Sequence, residues 1–94
     1  MTTGTRMSRQ DFLVVLGLER ATLDVWISQR WIIPDDGAGE AGFHERDVAR
    51  ARLIQDLRGD LGVNDEGVDV ILHLMDQLHG LRRALKDLSG AAPS

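Results

Sequence analysis

Ninety-four residues, a net charge of −4 and the absence of cysteine set the first bounds. A chain of this length suits one small domain that buries a modest share of its surface, so self-association is a natural source of added stability. The missing cysteines exclude a disulfide framework, a thiolate metal site and a thiol nucleophile, which suits a reducing cytoplasm.

The opening MTTGTRMSRQ lacks the charged-then-apolar pattern of a secretory signal, and no apolar run approaches the ~18 residues a membrane helix needs, so a cytoplasmic protein is expected. Residues 1–7 are small and polar and are expected to be flexible. Ser8, followed three residues later by Asp11, resembles a capping box ahead of Phe12, Leu13, Val15 and Leu16, and Gly17 ends that first helix. A second helix is predicted from about Glu19 or Arg20 to Arg30, with Leu23, Trp26 and Ile27 on one side. Two short helices joined through Gly17-Leu18 read as a helix-turn-helix over 8–30. Trp31-Ile32-Ile33 reads as a short strand or an extended tail stopped by Pro34, and DDGAGEAG returns the chain to Phe43, which makes 31–44 a hairpin or wing.

From Glu45 to Leu61 a third helix is predicted, with Val48, Ala51, Ile54, Leu57 and Leu61 on or near one face and a weak last turn at Gly59. Gly62 ends it. Asn64 then caps a long helix over 65–88, with Asp65 and Glu66 at the positive end of its dipole. Along it Ile71, Leu74, Leu78, Leu81, Leu85 and Leu88 recur at alternating steps of three and four, the spacing of a two-helix seam. Val68, Leu72 and Met75 form a second apolar row beside its first half, suited to closing a small core. Residues 89–94 read as a flexible tail.

The expected fold class is therefore mainly α. This order of elements, with Thr22-Leu23, Pro34, Phe43 and Asp47-Val48 in register, resembles the MerR-type winged helix-turn-helix over 8–88. Arg58, Asp60-Leu61, Gly62-Val63-Asn64, Gly67 and, above all, Leu72-His73-Leu74-Met75-Asp76 with Leu78 and Leu81 are similar to the chaperone-modulator branch, the CbpM proteins. Heat-shock repressors of the MerR class share the GVN…G passage. The CbpM resemblance implies a modulator that binds the J-domain of a DnaJ/CbpA-type co-chaperone and inhibits it. MerR relatives pair through antiparallel C-terminal helices, so a homodimer is expected with Leu74, Leu78, Leu81, Leu85 and Leu88 at the interface.

The alternative is a MerR-type DNA-binding transcriptional regulator. Such readers place an Arg after the Leu of the second helix and basic residues in the wing, because guanidinium groups neutralise phosphates and reach base edges. Here Asp24 holds the first position, and the wing carries Asp35, Asp36 and Glu40 with no Lys or Arg. From Asp35 to Glu66 the chain has nine acids and four arginines, which favours a basic partner over DNA. Asp24, Trp26, Arg30, Trp31, Asp35, Asp36, Glu40 and Asp76 are the candidate partner-binding residues. The bland readings are packing for the two tryptophans, solvation for the loop acids and a structural ion pair for Asp76.

Catalysis is not expected: there is no Gly-rich phosphate cradle, no nucleophile beside a base and no pair of carboxylates placed in a pocket. No cofactor is implied. His73 and His79, six apart, do not share a helix face, so neither they nor His44 point to a metal site.

Overall fold

The computed structural model describes residues 6–35 and 42–90, and over these the chain is helical. Four α-helices run in order, α1 (Arg9–Leu16), α2 (Arg20–Ser28), α3 (Glu45–Gln55) and α4 (Asp65–Gly90), with a π-helical turn, Asp56–Asp60, following α3. The chain divides at Gly62–Val63 into two compact units.

In the first unit the helix ends follow local chemistry. Ser8 caps α1, its hydroxyl accepting from the Asp11 backbone N–H at 3.1 Å. α1 stops where Gly17 turns left-handed at φ 65°, so that the Leu18 N–H reaches the Leu13 carbonyl at 3.0 Å. Glycine accepts that conformation at no steric cost. α2 ends in the same way two residues before the expected Arg30, but with Arg30 itself at φ 66°. The Trp31 N–H bonds the Trp26 carbonyl at 2.9 Å and the Arg30 N–H that of Ile27 at 3.0 Å. Trp26 and Trp31 supply the hydrophobic contact that accompanies such caps, their rings 6.4 Å apart.

Residues 31–35 form no strand. Two isolated antiparallel bridges stand where a hairpin was expected, Asp35 with Gly42 and Met7 with Phe43. The second involves the last residue of the stretch 1–7, of which 1–5 lie outside the described residues: the backbone of Met7 exchanges both its bonds with Phe43, at 2.7 and 2.9 Å. Phe43 is thereby held flat against Phe12, ring centroids 4.2 Å apart. These two rings join Leu23, Ile32, Ala51 and Ile54 as fully buried groups, with Leu16, Trp26, Trp31 and Leu57 nearly so. The Gln55 side chain donates to the Leu16 carbonyl at 2.9 Å, tying α3 to the end of α1.

The acidic first turn of α3 also supplies its cap. The Asp47 carboxylate, buried, accepts from the His44 backbone N–H at 2.9 Å. Its end differs from expectation. The α-helical phase that carried Leu57 would bring Leu61 to the same face, but the wider π turn, closed by a Leu61 N–H to Asp56 carbonyl bond at 3.1 Å, rotates it outward. Leu61 is 70% exposed.

The second unit is essentially α4. Its start is as expected: the Asn64 side chain accepts from the Gly67 N–H at 2.8 Å. Gly67 fits because a Cβ there would lie 2.6 Å from Val63 Cγ1. Val68 and Leu72 are buried and Ile71 and Met75 half-buried, whereas everything from Asp76 to Ser89 is exposed.

Candidate partner-binding surfaces

On α2 the exposed residues are Arg20, Ala21, Asp24, Val25 and Ser28. Asp24 is solvent-facing at 60% of its side chain and paired with Arg9 of α1 at 3.1 Å. An exposed pair of this kind contributes little to stability, about 0–1 kcal/mol, so its carboxylate remains available to exchange partners. Arg30 is exposed on the left-handed cap that follows. The two tryptophans, candidates for partner binding with packing as the favoured reading, are core residues, 2% and 3% exposed. They occupy the cap contact of α2, and Arg50 of α3 donates to the Trp31 carbonyl. They flank Arg30 at that cap.

Asp35 sits at the base of the wing. Its backbone N–H and carbonyl both bond Gly42, each at 2.8 Å, and the Arg6 guanidinium donates to the same carbonyl at 3.0 Å. The Asp35 carboxylate faces His44 Nε2 at 3.3 Å. Gly42 is enclosed by the Arg6 side chain, within which any Cβ would collide. Asp36 and Glu40, the other candidate wing acids, lie outside the described residues.

The acidic middle from Asp35 to Glu66 spans both units, and the structure divides it unevenly between them. In the described part of the first unit, carboxylates and arginines balance one for one. Asp47 is turned inward as a cap and Asp24 is paired. The acidic excess among the described residues falls on the first half of α4, where Asp65, Glu66, Asp69 and Asp76 precede any cation. Asp76 is exposed there, among Leu74, His73 and Gln77. The run from Val63 to Leu81 has no Lys or Arg.

The expected dimer residues are all open to solvent: Leu74 56%, Leu78 46%, Leu81 63%, Leu85 64% and Leu88 76%. Among the described residues no group of three or more His, Asp or Glu is placed to hold a metal ion, and no helix is long and apolar enough to cross a membrane.

A family model described as MerR HTH family regulatory protein matches residues 7–90. No curated protein and no solved structure matches the chain.

Proposed function

Since the chain belongs to the MerR HTH family of regulatory proteins, we propose that it regulates by binding a protein, as a chaperone modulator that occupies the J-domain of a DnaJ/CbpA-type co-chaperone and inhibits it. The observation that carries this reading is the exposed face of α2. Its centre is Asp24, at the position where a DNA reader of this family needs an arginine. A carboxylate there repels phosphate, and the balanced charge of the surrounding unit supplies no basic patch to offset it.

A J-domain presents a basic helix beside its His-Pro-Asp loop. Asp24 and Asp35 of the first unit carry charge complementary to such a surface, and so, taken by themselves, do the acids of α4, including Asp76, while Arg30 suits a carboxylate within it. Complementary charge speeds encounter and fixes orientation, and exposed apolar groups such as Val25 add contact area. The domain acts as an adaptor, without chemistry of its own.

The test is calorimetric titration of a purified J-domain, from the DnaJ-type protein of the same genome, into this protein at low salt. Saturable heat that weakens with salt is expected, and no heat at all removes the proposal. Arg20 at the start of the second helix and Arg30 just past its end, both exposed, favour the alternative of a DNA-binding transcriptional regulator. That reading requires binding to operator DNA whose affinity falls steeply with salt in a fluorescence titration.

A further inference from the structure

The exposed face of α2 is already occupied from within the chain. Arg9, the first residue of α1, reaches across to α2, where its Nη1 donates to Asp24 Oδ1 at 3.1 Å. Among the described residues no other group bonds either side chain. Arg20 stands four residues before Asp24 on the same helix, yet the carboxylate is held by Arg9 instead.

Local helix electrostatics give no reason for a cation at residue 9. The start of a helix is the positive end of its dipole, so an arginine there is disfavoured where an acid would be favoured. Stability gives little reason either. The two side chains are 35% and 60% exposed, and a pair so open contributes little, whereas Phe12, Leu16, Leu23 and Trp26 of the same two helices are buried. What Arg9 does is present to Asp24 the same chemical group that a basic partner would present.

We propose that Arg9 is an internal place-holder for the partner's cation: it neutralises Asp24 in the free protein and yields it to a lysine or arginine of the bound protein. The proposal rests on the co-chaperone reading and adds to it the residue that sets how strongly this face discriminates. A basic group that takes Asp24 must first break the Arg9 pair and then lie beside the released guanidinium, a like charge. A single stray cation gains nothing in that exchange. A surface with several cations, matched to more than one acid of this protein, does.

The test is calorimetric titration, at about 0.15 M salt, of the purified J-domain from the DnaJ-type protein of the same genome into the full chain and its variants. Charges further apart than ~8 Å are then largely screened, and contact pairs dominate. Arg9→Gln should tighten binding about two- to fivefold, the range that an exposed pair supports. Arg9→Glu, whose acid suits the start of α1, should tighten it further with unchanged circular dichroism. Asp24→Asn should weaken binding, and in that background Arg9→Gln should change the affinity by less than about twofold. A pair that only braced α1 against α2 would show no such dependence on residue 24. Unchanged or weaker binding by both Arg9 variants would overturn the proposal and leave the co-chaperone reading standing. So would equal tightening in both backgrounds, which is the mark of charge repulsion at a distance. Absence of heat from the unmodified protein and from every variant removes the co-chaperone reading itself, and the place-holder with it.

Discussion

Arg30 is the one described non-glycine residue with positive φ, at 66°, and it closes the cap of α2. An L-residue in this conformation brings its Cβ against the following carbonyl at a cost of about 1–2 kcal/mol. The conformation is imposed by its neighbours: Trp26 and Trp31 are buried on either side and the Trp31 N–H must reach the Trp26 carbonyl. Arg30→Gly removes the strain. Against this stand the greater freedom of glycine in the unfolded chain, about 0.5–1 kcal/mol, and the lost attraction of a cation for the helix C-terminus, about 0.3–1 kcal/mol for an exposed group. The net change against wild type is therefore small, between about 1 kcal/mol lost and about 1 kcal/mol gained. The informative comparison is with Arg30→Ala, which loses the cation but keeps the strain. Glycine should exceed alanine by about 1 kcal/mol, which for a domain of this size is ~4–8 °C in melting temperature. Urea unfolding followed by circular dichroism at one fixed protein concentration measures the difference. Equal stability of the two variants, or a more stable alanine form, would refute the argument that the cap is strained.

Other substitutions probe the packing and the caps. Phe43→Ala removes a fully buried ring stacked 4.2 Å from Phe12 and should cost ~3–5 kcal/mol, a large share of a small domain's stability, seen as a lower urea midpoint. Asn64→Ala deletes the side-chain acceptor for the Gly67 N–H and should cost ~1 kcal/mol, with faster amide exchange confined to the first turn of α4. Gly80→Ala places a methyl group where nothing lies within 4 Å and should stabilise α4 by ~1 kcal/mol, raising the melting temperature without altering the sedimentation coefficient.

Much of the fold was legible in the linear order of residues because the signals are local. Ser8 and Asn64 mark helix starts, since a short polar side chain binds the free N–H groups of its own first turn. Gly17 marks an end because only its backbone turns left-handed freely. The seam of α4 was visible because a helix repeats every few residues, so a stripe exposed in space is periodic in sequence.

What only the tertiary structure decided depends on residues far apart in the chain. Met7 looks like part of a polar leader until it pairs with Phe43. Packing is the favoured reading of Trp26 and Trp31, and the structure shows what they pack on, the cap of α2. Leu61 keeps the phase of its helix on paper, and a single wide turn at Asp56–Asp60 moves it into solvent. Asp24, Asp47 and Asp35 count equally as negative charges in the sequence. In the structure they become an exposed ion pair with Arg9, a buried cap and a wing contact with His44, because a carboxylate's role is set by the donors that folding brings within 3 or 4 Å of it.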